Sequence, residues 1–331
     1  MVFSPVLNGL TRALAAVGRK GTLVVAGSVF IGLAFPPLAS SAKPLLMPCV
    51  FVMLVISFMR TDLARLRAGR HVGLALFALV WIMGILPVIL GLAVAYVVPP
   101  GDPDILLALV IQASSPPIMS APAFAALMGF DPGLSLLVMV AAMVVTPITA
   151  PTVVAAFSGM ALTLDPLSLA LRLGLVLLST GCVGFALRRL SGPDRLARWK
   201  ESLDGINVLL LLVLAVAFMD GVTARFLADP REVLGVGALA FSVSLGALAV
   251  TALLFRPFAG EGQALMLGFA AGHRNMMVLI AAAGGIIPDS SWLYVGLAQF
   301  PIYMLPYLMR PLANLIHRRA AAQSPPPASG P

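Results

Sequence analysis

Apolar residues fill this chain in long unbroken runs, and charged residues fall mostly between them. Ten stretches are free of charge or nearly so: 21–42, 44–59, 71–101, 105–130, 132–164, 166–187 (with Arg172), 205–219, 233–255, 262–288 and 290–316 (with Arg310). About 20 residues of helix cross a bilayer, so each run predicts a transmembrane helix, the second and seventh by borrowing flanking residues. Two of the ten are interrupted near their middles. The fourth contains Ser114, Ser115, Pro116 and Pro117, with Ser114 tenth of its 26 residues. The ninth contains Gly272, His273, Arg274 and Asn275, with Arg274 thirteenth of its 27.

Both interruptions carry chemistry. Consecutive prolines delete two backbone donors and crowd the preceding turn, so the fourth helix is expected to break there and again at Pro122. Freed carbonyls are not tolerated against lipid; the break must line a cavity or pack within protein. In the ninth run, a charge near the midplane costs at least about 2.5 kcal/mol and usually faces a bundle interior or a wet cavity. Arg274 lies about a dozen residues from either end, too deep for its stem to carry the guanidinium to the interface. Its alternatives are a ligand or the freed carbonyls of a broken helix.

Composition agrees with the runs. Hydrophobic residues make up 60% of the 331 and charged residues 10%, with mean hydropathy +1.03, against about 25% charged in soluble domains. The chain reads as an all-α integral membrane protein. Its net charge of +8 sits in short loops, where it signals orientation and not nucleic-acid binding. Of the Lys and Arg residues, 15 fall on the side of the N-terminus, 3 (Lys43, Arg225, Arg231) on the other, and 3 within spans. Positive charge marks the cytoplasmic face, so both termini are expected in the cytoplasm, with ten crossings of a bacterial-type inner membrane. The first run, behind Arg12, Arg19 and Lys20, reads as a membrane helix and not a cleaved signal. Residues 320–331, rich in Pro, Ser and Ala, read as a disordered tail. Cys49 and Cys182 lie inside apolar runs, which argues for packing over a disulfide.

The two halves look alike. Phe58-Met59 recurs as Phe218-Met219 at an offset of 160, the segment at Ala108 as that at Ala264 at 156, and Pro147 and Pro151 as Pro306 and Pro311 at 159 and 160. Five helices per copy is an odd number, so the second copy, residues 161–319, enters the membrane opposite to the first, residues 1–160. Inverted repeats with interrupted helices at corresponding positions point to the midplane site of a secondary transporter. The same offset sets the SSPP segment opposite GHRN.

The broken fourth helix with SSPPIMSAP, the following GFDPGLSLLVMVAAMVVTPITAP and the G-x-x-N of GHRN together resemble the bile acid:sodium symporter family over nearly the whole chain. The resemblance implies organic-anion transport, interleaved core and panel domains, and a site where helices four and nine cross. It also exposes departures. Where sodium-coupled members carry an acidic residue before the helix-nine glycine, this chain has Ala270. Their Gln before the Asn is here Arg274, and the Ser-Asn of their fourth helix corresponds to Ala121-Pro122. Of two hydroxyls in helix five one remains, Ser135, and the next position is Met139. Hard cations want oxygen ligands, so sodium coupling is not expected, and no cofactor is.

The expected function is therefore secondary transport of a small organic anion, a carboxylate or a bile-acid-like molecule, with Arg274 as a built-in counter-ion able to grip a carboxylate. Asn275 with Ser115 or Ser120 would add hydrogen bonds, within a segment formed by Ser114, Pro116 and Pro117. His273 is either a proton-coupling group or a packed core residue. Gln299, Tyr303 and Tyr307 share one helical face and read as a polar stripe along the cavity or as interhelical bonding. The alternatives are a non-transporting sensor or scaffold on the same fold, and a sodium symporter with altered ligands. An intramembrane enzyme would need a paired base and nucleophile or a metal cluster, and the sequence offers neither.

Overall fold

A computed structural model describes residues 21–61, 72–97, 101–157, 165–284 and 287–323. The basic N-terminal segment, most of the basic loop after Arg60 and the tail beyond Gln323 lie outside them. The described residues are helical and contain no β-strand, only one isolated bridge discussed below. In order the helices are α1 (Gly21–Ala34), α2 (Pro36–Arg60, through a tightened turn at Lys43–Leu45), α3 (Val72–Tyr96), α4 (Pro103–Ser114), α5 (Ala121–Leu127) and α6 (Pro132–Phe157). There follow α7 (Pro166–Ser191), α8 (Pro193–Arg198), α9 (Lys200–Ala217), α10 (Val222–Ala228), α11 (Pro230–Gly272), α12 (Met276–Ala282), α13 (Asp289–Leu308) and α14 (Arg310–Gln323).

Six segments are long and apolar enough to cross a membrane: α2, α3, α6, α7, the α9–α10 segment and α11. Their outward faces are apolar too. Along α7, Leu167, Leu171, Leu175 and Leu178 are each about two-thirds exposed, and Val144 and Ile148 of α6 more so. A helix apolar all round belongs inside a large core or in lipid; these faces are uncovered, so their medium is lipid. The chain is a multi-pass helical membrane protein.

Local chemistry sets the helix starts. Four helices begin on Asp-Pro: Asp102 Oδ1 accepts the Asp104 N–H at 2.8 Å, Asp131 the Gly133 N–H at 2.9 Å, Asp165 the Ser168 N–H at 3.0 Å and Asp229 the Arg231 N–H at 3.0 Å. The carboxylate supplies an acceptor for donors left unpaired in the first turn, and the proline needs none.

Helix α11 is two antiparallel arms. Gly260, at φ +74°, reverses the chain, and Gly268 and Gly272 lie back against Leu248 and Ser244. A Cβ on Gly268 would stand 2.5 Å from the Leu248 carbonyl, and one on Gly272 2.3 Å from that of Ser244. This is the close approach that G-x-x-x-G spacing permits in membranes, written here as GFAAG. Glycine seats two further helix pairs. Gly32 of α1 lies under Val216 and Met219 of α9 and the turn after it; Gly184 of α7 lies under Val55, Phe58 and Met59 of α2.

Three expectations need correction. Pro122 does not interrupt a helix: it occupies the first turn of α5, where its missing N–H costs nothing. Residues 320–323, read as part of a disordered tail, continue α14, because Ala and Gln are good helix formers. The tenth run divides at Met309 into α13 and α14.

Candidate functional site at the helix crossing

Helix α4 stops at Ser114 because neither Pro116 nor Pro117 offers an N–H to continue it. The chain then runs extended and meets the segment after Gly272. There Pro117 and Arg274 form an isolated antiparallel bridge. The Ile118 N–H donates to the His273 carbonyl at 2.9 Å, and the Asn275 N–H donates to the Pro116 carbonyl at 2.8 Å. The two interrupted helices thus repair each other's backbone, as buried polar groups away from water must.

Arg274 is 2% exposed. Its Nε–H donates to the Ala271 carbonyl at 2.8 Å, Nη1 to the Ser115 carbonyl at 2.9 Å, and Nη2 to the Ile82 carbonyl at 2.7 Å. Nη1 also lies 3.5 Å from Met83 Sδ. Each oxygen has lost its helical donor for a visible reason. The Asn275 N–H that would serve Ala271 has gone to Pro116. Ser115 stands in extended backbone past the last turn of α4, where no helical donor follows it. In α3, residues Trp81–Ile85 form a π-turn in which the Leu86 N–H reaches back to Trp81, bypassing Ile82, and the next residue, Pro87, has no N–H. Such wide turns recur at functional sites. No carboxylate forms an ion pair with Arg274 among the described residues.

Of the other expected residues, His273 is fully buried and stacked on Phe269, ring centroids 4.0 Å apart, with Nδ1 2.9 Å from the Phe269 carbonyl and Nε2 3.3 Å from that of Pro301. That is the packed arrangement. Ser114 and Ser115 turn their hydroxyls back to the carbonyls of Val110 and Ile111, at 2.7 and 2.6 Å, so Ser115 offers the crossing its carbonyl and not its hydroxyl. Ser120 and Asn275 stand at the starts of α5 and α12, half-buried, with no side-chain hydrogen bond among the described residues. The polar stripe on α13 divides. Gln299 and Tyr303 are buried, Gln299 donating to its own helix at Val295, while Tyr307 is 53% exposed under the Arg310 guanidinium.

Sodium, which the resemblance implies, does not fit. Ala270 and Met139 bring no side-chain oxygen, and the carbonyls of Ser115, Ala271 and Ile82 are taken by Arg274. Ser135 is a buried hydroxyl without a partner among the described residues, but one oxygen does not make a hard-cation site. No group of three metal-ligating side chains occurs among the described residues.

Some neighbours of the crossing escape a reading of the sequence. Gln112, one turn before the break, accepts the Tyr294 hydroxyl and donates to Ser244 Oγ at 3.2 Å; all three are buried. Trp81, at the π-turn, donates to Thr251 at 2.9 Å. An apolar cavity of about 430 Å³ lies between α1, α10, α11 and α13, lined by Leu33, Phe226, Phe241, Leu297 and Phe300 among others. Phe300 adjoins Pro301, the carbonyl facing His273. Compared with known proteins, the sequence matches no family profile and no curated protein.

Proposed function

We propose that this chain is a secondary transporter of a small organic anion in a bacterial-type inner membrane, working by alternating access without sodium. The observation that carries the reading is the bridge between Pro117 and Arg274, where two helices interrupted in mid-span are joined by reciprocal backbone hydrogen bonds. Interrupted helices at equivalent places in two halves are the mark of such carriers. The ten crossings are α1, α2, α3, α4 with α5, α6, α7, α9 with α10, the first arm of α11, its second arm with α12, and α13. Both termini lie in the cytoplasm by the charge bias.

The inverted duplication is supported by packing. Gly184 lies under Val55 and Met59, and Gly32 under Val216 and Met219. Val55 and Met59 correspond to Val216 and Met219 at offsets of 161 and 160, and Gly32 to Gly184 at 152, so the contacts exchange partners as a two-fold relation between the halves would have them. Pro117 and Arg274 are themselves 157 residues apart, near-equivalent positions meeting each other.

The anion's carboxylate takes the N–H of Arg274 Nη2 that the Ile82 bond leaves over, together with the unspent Asn275 amide and Ser120 hydroxyl. An apolar body on the substrate suits the cavity beside Phe300. Uptake of radiolabelled carboxylates and bile acids into proteoliposomes, with counterflow, tests the reading. Arg274→Gln is expected to abolish uptake while the protein stays folded, and replacing Na⁺ by choline is expected to leave wild-type uptake unchanged. Normal affinity in the variant, or no counterflow of any organic anion in the wild type, overturns it.

A further inference from the structure

We propose that the crossing is a cation site which the chain fills with its own side chain, so that removing the Arg274 guanidinium leaves a binding site for a free guanidinium ion. Three carbonyl oxygens from three separate segments, those of Ser115, Ala271 and Ile82, converge on one buried group at 2.7–2.9 Å. Two of them close the C-terminal ends of α4 and of the second arm of α11, where the helix dipoles concentrate partial negative charge of about half an electron each. The third is orphaned by the π-turn and Pro87. With Arg274 absent, three carbonyl lone pairs would face one another in a site closed to water, an arrangement that demands a cation with several donors. A planar guanidinium supplies donors in the fork that the three oxygens already fit.

The site's walls do not depend on the Arg274 backbone alone. The bridge bonds from Ile118 and Asn275 hold α4 and α11 together through main-chain atoms, and Trp81 ties the π-turn to Thr251 of α11. The truncated side chain therefore leaves a lined vacancy of guanidinium shape instead of a collapsed gap.

The inference shares its location with the transport reading but is read by melting in detergent, with no transported substrate, so each can fail alone. Purified Arg274→Ala is expected to melt several degrees below wild type. Millimolar guanidinium chloride is expected to restore roughly half or more of that loss, saturating as a ligand does, at concentrations that leave wild type unmoved; choline chloride at equal ionic strength restores nothing. No restoration, or equal restoration by choline, overturns the proposal. If Arg274→Ala yields no folded protein, Arg274→Lys and Arg274→Met decide it. Lysine keeps a buried cation with donors and is expected to melt well above methionine; equal loss in the two overturns the proposal.

Discussion

The two breaks that meet at the crossing are made by different means. The first is written locally: Pro116 and Pro117 withhold two donors, and no neighbour is needed to stop α4. The second holds no proline. Helix α11 ends at Gly272, where His273 turns extended; the Asn275 N–H that a continuing helix would give to Ala271 goes to Pro116 instead, and Arg274 covers the Ala271 carbonyl. The first break supplies the acceptor, the Pro116 carbonyl, that the second one uses. A half-helix that ends by its own sequence offers a fixed edge, and its counterpart, free of proline, adapts to it.

Ser114 and Gly272, which the proposed duplication sets at equivalent places, differ in the room around them. Ser114 carries a side chain without strain, its hydroxyl folded back on Val110. Gly272 faces the Ser244 carbonyl across the two arms of α11, and backbone at 2.3 Å from a new Cβ has no means of moving aside. Gly272→Ala is therefore expected to destabilise by about 3 kcal/mol, the upper part of the overpacking range, and Ser114→Ala by less than about 1 kcal/mol. Thermal melts of the purified variants check both. Equal losses would mean that the arms of α11 are not closely packed.

The next largest effect should come from restoring the missing donors. In a helix interior proline is about 3 kcal/mol worse than alanine, whereas each bridge hydrogen bond contributes about 0.5–1.5 kcal/mol. The Pro116→Ala, Pro117→Ala double variant is thus expected to run α4 continuously toward α5 and to dissolve the bridge. Amide exchange at residues 115–120 would slow, and uptake would fall more than about tenfold, a change of 1.4 kcal/mol or more. Unchanged exchange would show that α11 holds the first break open from outside.

Much of this architecture is legible in the sequence. The runs of apolar residues mark the spans, paired prolines mark the first break, and a lone Arg at mid-depth marks a special place. What is not legible is where the guanidinium goes. Pro87 sits in an apolar run like several other prolines, and its consequence, an orphaned Ile82 carbonyl, matters only because α3 passes the crossing. The same holds for Gln112 and Tyr294, ordinary members of apolar helices until the fold sets them against each other. Gly268 and Gly272 carry the spacing of a packing motif, but their partners, Leu248 and Ser244, are set by the reversal at Gly260. Serines in membrane helices are ambiguous for a related reason. Their hydroxyls turn back on their own helix as readily as toward a ligand, and spacing does not say which.

That ambiguity gives the smallest and most discriminating comparison, between polar groups that are spent and those that are not. Ser115 Oγ already bonds the Ile111 carbonyl at 2.6 Å, so Ser115→Ala removes nothing a substrate could use; uptake affinity should be unchanged and stability lower by less than about 1 kcal/mol. The Asn275 amide has no such partner among the described residues. If it meets the anion, Asn275→Ala should raise KM about tenfold, the equivalent of one hydrogen bond to a charged group at 1.4 kcal/mol, with the melting temperature unmoved. Ser120→Ala should do the same more weakly, a hydroxyl bringing one donor where the amide brings two. Side-by-side uptake and melting curves separate the cases, because a structural role moves the melt and a substrate contact moves KM. A lowered melt with unchanged KM in Asn275→Ala would assign that amide to the architecture of α12 and leave Arg274 as the polar centre of the crossing.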